Sequence, residues 1–247
     1  MLLLIAVATA VIDRRALLGR AVSLGAVAVP PRCAVAAAAD GSREELLSEL
    51  RTLLGTPAPP PIAGGDSRAP RIDAVLDALR ERNPTARPGS AASYAPLAPG
   101  TWRVAFAPHI AKLSSAAGAR FDPILYTLRA DGGITSHVRY SWLGVADGWL
   151  STVGEYGSRD ELTSYVEWDD AWWEPGAASP GDDPRQGAFA PFVSALGKAG
   201  FVTSFSNFPV EYLDRDLCVF VFPLSGTRIA AVRTGGGLDV WGGGGKG

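Results

Sequence analysis

A mainly β domain preceded by two helices is the fold class this sequence predicts. The first observation is a change of period. Apolar residues recur every three to four positions up to Pro84, and they alternate with polar ones after Gly100. The second is punctuation: short runs rich in aromatic and β-branched residues are separated by turn-forming Gly, Asp and Pro. The third is balance, since 47% hydrophobic and 19% charged residues over 247 positions belong to a globular chain of one ordinary domain plus a removable leader.

The elements follow in order. Residues 1–39 read as a targeting leader. An apolar run ends at Ala8-Thr9-Ala10, and Arg14-Arg15 then opens a second, twin-arginine-like or transit-like part. One secretory peptide with an apolar tail is the alternative. The stretch Ala21 to Val29 is too short to cross about 30 Å of hydrocarbon. Residues 40–95 form a helical segment. Ser42 and Glu45 have the spacing of a capping box, and Leu46, Leu47, Leu50, Leu53 and Leu54 make one apolar face that stops at Gly55. A Pro- and Gly-rich linker over 56–69 leads to a second helix carrying Ile72, Val75, Leu76 and Leu79, ended by Asn83-Pro84.

Residues 96–235 are the β domain. Trp102-Val104-Phe106, Ile124-Tyr126-Leu128, Ile134-Ser136-Val138-Tyr140 and Leu162-Ser164-Val166-Trp168 each place their larger side chains on one face. Asp131-Gly132-Gly133 reads as a hairpin turn. Leu217 to Phe222 and Arg228 to Arg233 supply two late strands, a short helix is expected over Ala188 to Lys198, and 236–247 form a flexible Gly-rich tail. Trp172 and Trp173 point to opposite faces of an extended chain, so one of them is expected at an exposed rim or lipid interface.

Several chemistries are set aside. A net charge of -2 with scattered basic residues makes no nucleic-acid surface. Cys33 and Cys218 are far apart, and neither they nor His109 and His137 have zinc-ligand spacing, so no metal and no cofactor is expected. Glu155, Asp160, Glu161, Glu167, Asp169, Asp170 and Glu174 read as a solvated rim rather than an acid–base pair. There is no Gly-x-Ser-x-Gly elbow, and the Gly-x-Gly-x-x-Gly of Gly242 to Gly247 opens no helix. Ser136 and His137, neighbours in a strand, face opposite ways. No catalytic residue is assigned; an unrecognised enzyme using His109 or His137 is the reading of last resort.

Gly100-Thr101-Trp102 at the start of the first strand resembles the Gly-x-Trp of lipocalins and other calycins. In that pattern an indole closes the bottom of an antiparallel barrel, and an arginine of the last strand stacks on it and donates to nearby carbonyls. Gly100 and Trp102 with Arg233 would make that closure here, Arg228 being the second candidate. Several segments taken together, in order, resemble the plastid lipid-associated (fibrillin) family: Ile72 to Asn83-Pro84-Thr85, Gly100 to Phe106 followed by Ala107-Pro108-His109-Ile110, and Tyr212-Leu213-Asp214-Arg215-Asp216-Leu217. The likeness extends over about residues 42–235. One departure is that Cys218-Val219-Phe220-Val221-Phe222 follows the last segment where the family usually has arginines. Asp214 and Asp216 are therefore read as capping a turn or pairing with Arg215 or Arg228.

What the resemblance implies is a lipocalin-like β-barrel, across whose end the short helix of 188–198 would lie, and a non-enzymatic protein that binds or organises apolar lipids such as carotenoids, quinones and other isoprenoids. Its place would be the plastid, in the thylakoid lumen or at thylakoid or plastoglobule surfaces. A two-part leader suits a plastid of secondary endosymbiotic origin. The expected ligand lining is Phe106, Tyr126, Val138, Tyr140 and Val166, positions that would be plain core if the barrel were filled. The rival reading is a structural coat of plastid lipid bodies, seated on a membrane or globule surface through exposed aromatics, with no internal ligand.

Overall fold

The computed structural model describes residues 41–55, 66–116, 118–142, 146–181 and 207–238. The leader, the expected helix over 188–198 and the tail beyond residue 238 lie outside them. The architecture is a closed barrel of eight antiparallel strands with helices on one side and at both ends, a lipocalin-like barrel. Helices α1 (Arg43–Gly55) and α2 (Ala69–Glu81) come first, then α3 (Ala91–Leu97) and β1 (Gly100–Phe106). After α4 (Pro108–Ala116) come β2 (Ala119–Leu128), β3 (Gly133–Trp142), β4 (Ala146–Ser158) and β5 (Thr163–Pro175). The wall ends with β6 (Asn207–Leu213), β7 (Leu217–Phe222) and β8 (Thr227–Arg233), which pairs back onto β1. Among the described residues no helix is long and apolar enough to cross a membrane.

Helix α1 begins as its capping box predicts: the Glu45 amide donates to Ser42 Oγ at 3.3 Å and the Ser42 amide to Glu45 Oε2 at 2.7 Å. Its leucines and those of α2 cover the outward faces of β6, β7 and β8, where Tyr212, Leu217, Val219, Ala230 and Val232 complete a shared core. Arg228, buried beneath α2, ties this layer to the wall. Its Nε donates to Glu211 at 2.6 Å, and its other nitrogens reach Asp77 and the Asp73 carbonyl. Arg228 therefore pairs with neither Asp214 nor Asp216 and does not reach Trp102, because its strand position faces outward while Arg233 faces inward.

Register decides which side chains enter the barrel, since residues directly opposed across a ladder share a face. The row Trp102, Tyr126, Ser136, Thr152, Ala171 runs inside. Cys218, Phe220 and Phe222 on β7 and Thr227, Ile229, Ala231 and Arg233 on β8 also face inward. At the Asp131-Gly132-Gly133 hairpin, Gly132 adopts φ 90°, a left-handed turn conformation open to glycine, and the Gly133 amide donates to Asp131 Oδ1 at 2.9 Å.

Two sequence expectations are corrected. Phe106 does not line the interior: the pairing of β1 with β8 shifts between Val104 and Phe106, and this bulge turns Phe106 outward opposite Ala230, under α1 and α2. Neither tryptophan of the Trp172-Trp173 pair is an exposed rim residue. Trp172 faces outward but is only 1% exposed, and Trp173 faces inward beside Tyr140, ring centroids 5.9 Å apart. The strand expected from Leu162 begins at Thr163, and Leu162 is 57% exposed in the preceding turn.

Candidate functional site

The barrel has a built floor. Chain end α3 leaves its last carbonyls without intrahelical partners, as every helix does. Here the floor residues take them: Trp102 Nε1 donates to the Ala98 carbonyl at 2.8 Å, and Arg233 donates to Pro99 at 2.7 Å, to Leu97 at 2.5 Å and to Arg215. The Arg233 guanidinium lies 4.3 Å from the centroid of the Trp102 ring, which is 3% exposed. A cation at a helix C-terminus is favourable as well. Gly100 makes this possible. Its φ is 140°, and a Cβ there would fall 1.9 Å from Arg233 Nη1.

Neighbouring segments lock the floor. Asn83 Nδ2 donates to the Glu211 carbonyl at 3.2 Å and the Thr85 hydroxyl to the Leu213 carbonyl at 2.6 Å, which pins the loop after α2 to β6. Asp214 caps the β6–β7 turn as anticipated: its Oδ1 accepts from the amides of Asp216 and Leu217, both at 2.8 Å. Its charge is met by Arg43 of α1 together with the Tyr212 hydroxyl, not by Arg215. The motif residues that carry the family likeness thus hold the floor and the helical layer in place. His109, in the same likeness, stands apart from them at the opposite end of the barrel.

Above the floor the inward face is mostly apolar, and among the described strand residues it carries a single ionised side chain, Arg233, already committed to carbonyls. Tyr126, Val138, Tyr140 and Val166, four of the five expected lining residues, do face inward. Val138 and Tyr140 are buried, whereas Tyr126, Val166 and the neighbouring Phe220 keep accessible surface although they face the inside of a closed wall. Burial nevertheless pushes the Tyr126 hydroxyl up to about 12. Inward-facing side chains that keep accessible surface are not packed solid against one another. Ser136 and Thr152 place hydroxyls on the same inward row.

At the mouth, α4 leaves β1 and packs against β2 and β8. His109, in its first turn, lies flat on the inward Phe222 with ring centroids 4.8 Å apart and planes at 8°. Its Nδ1 is 2.7 Å from Thr227 Oγ1, which is 2.6 Å from Ser225 Oγ. His137 is on the outer wall, its Nδ1 2.8 Å from Ser151 Oγ and its ring edge-on to Trp172. Ser151 has no accessible surface, so that pair presents no nucleophile to a substrate. Ser136 faces the opposite way, into the lumen. Sequence reasoning missed Phe222 and Thr227 as companions of His109, because their proximity comes from strand order; the inward parity of β7 and β8 was the one local signal.

The acidic residues of β4 and β5 remain spread over the outer wall and its turns, and among the described residues no three His, Cys, Asp or Glu are placed to share a metal ion. Cys218 is a free thiol inside the barrel, pushed up to about 12 by burial, an inert packing group. A scan against protein-family models returns no match for this chain, and a search of curated proteins returns none either.

Proposed function

We propose that this protein is a non-enzymatic plastid lipid-associated protein of the fibrillin type that holds an apolar, isoprenoid-like molecule in its barrel, at a thylakoid or plastoglobule. One observation supports it above the others: a plugged floor beneath inward aromatic and aliphatic walls that keep accessible surface, with Arg233, the one ionised inward side chain among the described strand residues, spent on the floor. Such a lumen penalises a charged guest by desolvation and rewards an apolar one by burial. Hiding about 300 Å² of apolar surface gains roughly 7–8 kcal/mol before association costs, which sets micromolar affinity as the scale. The plastid assignment draws on the two-part leader and on the ordered motif likeness of residues 42–235.

The coat reading draws less support from the described residues, whose exposed large hydrophobics are the aliphatic Leu162 and Leu224. Mass spectrometry of lipids extracted from the purified, folded protein tests the proposal. A stoichiometric isoprenoid or quinone is the expected result. A lipid-free protein that takes up no apolar probe yet still binds liposomes would replace the carrier with the coat.

A further inference from the structure

We propose that Nε2 of His109 is the polar anchor of the barrel's guest, hydrogen-bonding one uncharged oxygen, a hydroxyl or a carbonyl, at the end of an otherwise apolar molecule. This rests on the carrier reading and adds what chemistry the ligand must bear and where. His109 is 8% exposed, and its Nε2 is a buried nitrogen with no hydrogen-bond partner. Buried polar atoms are almost always paired, and an orphan is a standing cost that a ligand can relieve. The ring is also held as a binding group must be held. Thr227 fixes Nδ1, Ser225 fixes Thr227, and Phe222 fixes the plane, so Nε2 is left as the one uncommitted site of a preorganised imidazole.

Location and charge select the oxygen. Phe222 and Thr227 both face inward at the upper end of β7 and β8, which places the ring at the mouth, opposite the floor occupied by Arg233. Desolvation holds His109 down at about 4, so the ring is neutral at pH 7 and brings no positive charge to offset the desolvation of a carboxylate or phosphate. Which tautomer it adopts follows the direction of the Thr227 bond. With Thr227 donating, Nε2 carries the proton and takes a carbonyl or hydroxyl oxygen; with Thr227 accepting, Nε2 takes a hydroxyl proton. In the present conformation protein closes over the nitrogen. An oxygen reaches it by displacing a side chain packed beside the ring, with the His109–Thr227–Ser225 chain kept in place.

The test uses three molecules with one C15 skeleton: farnesene, farnesol and farnesal, titrated into the purified protein by quenching of tryptophan fluorescence. At least one oxygenated probe should bind about tenfold more tightly than the hydrocarbon, and His109→Leu should abolish that preference while leaving farnesene within about twofold. Wild-type protein that binds all three equally overturns the anchor and leaves the carrier reading standing. Protein that binds none overturns both. A second measurement avoids reliance on the variant: in ¹⁵N-histidine spectra of the wild type, the Nε2 resonance of His109 should move with the preferred oxygenated probe and stay with farnesene. A resonance that ignores the oxygenated probe overturns the anchor even where that probe binds.

Discussion

The two ends of the barrel are built from the same eight strands, yet they treat polar groups in opposite ways. At the floor, the two central donors find acceptors: the Trp102 indole takes Ala98, and Arg233 takes three carbonyls while stacking on the indole. At the mouth, His109 is as thoroughly buried but keeps a nitrogen without a partner. Satisfied polar networks add rigidity and cost nothing at rest, whereas an orphan trades stability for a place where something can bind. The comparison teaches that the floor is where this molecule stores its stability and the mouth is where it has stability left to gain.

Truncating the floor should break the comparison most severely. Trp102→Ala removes the plug and strands the Arg233 charge above a void, and should lower the unfolding free energy by about 4 kcal/mol in urea titrations followed by circular dichroism. Gly100→Ala sets a Cβ against the Arg233 guanidinium at a backbone angle that L-residues rarely adopt. It should cost about 2 kcal/mol and be partly rescued by adding Arg233→Ala, which a purely conformational cost would not allow.

Acid should expose the mouth. The folded pKa of His109, about 4, lies below its ordinary 6.5, so the unfolded chain takes up a proton that the folded one refuses. The full stability is present above pH 6.5 and declines as pH falls toward 4, by about 2 kcal/mol after allowing for partial solvent screening. His109→Leu should flatten that limb; an unchanged acid limb in the variant would assign it to other groups. The smallest effect is expected from Thr227→Val, which frees the ring without removing it. A loss of about 1 kcal/mol, with a more mobile His109 resonance, would sharpen the claim that Thr227 orients the imidazole.

Much of this is legible in the sequence. The period-two runs after Gly100 identify the strands and the face that Tyr126, Val138, Tyr140 and Val166 share, and the Gly-x-Trp spacing with a late inward arginine anticipates the floor. Helix α1 starts where Ser42 and Glu45 say it does. These are local matters: side-chain alternation and capping depend on a few consecutive residues, so a linear reading contains them.

Other features were decided by pairing between distant segments. Phe106 obeys the alternation on paper and leaves the lumen because one extra residue is accommodated against β8, a bulge that strand register alone creates. Asp214 finds Arg43 across the chain, and Arg228 finds Glu211 and Asp77, where a local reading had offered nearer partners. His109 meets Thr227 and Phe222 because β1 and β8 close the wall and bring residues more than a hundred positions apart into contact. The sequence alone determined which residues alternate and where helices begin, since those preferences act within a few bonds. Closure of the sheet decided which alternating residue faces the interior and that Nε2 of His109 is among the polar atoms left without a partner, since both depend on what the opposite strand presents.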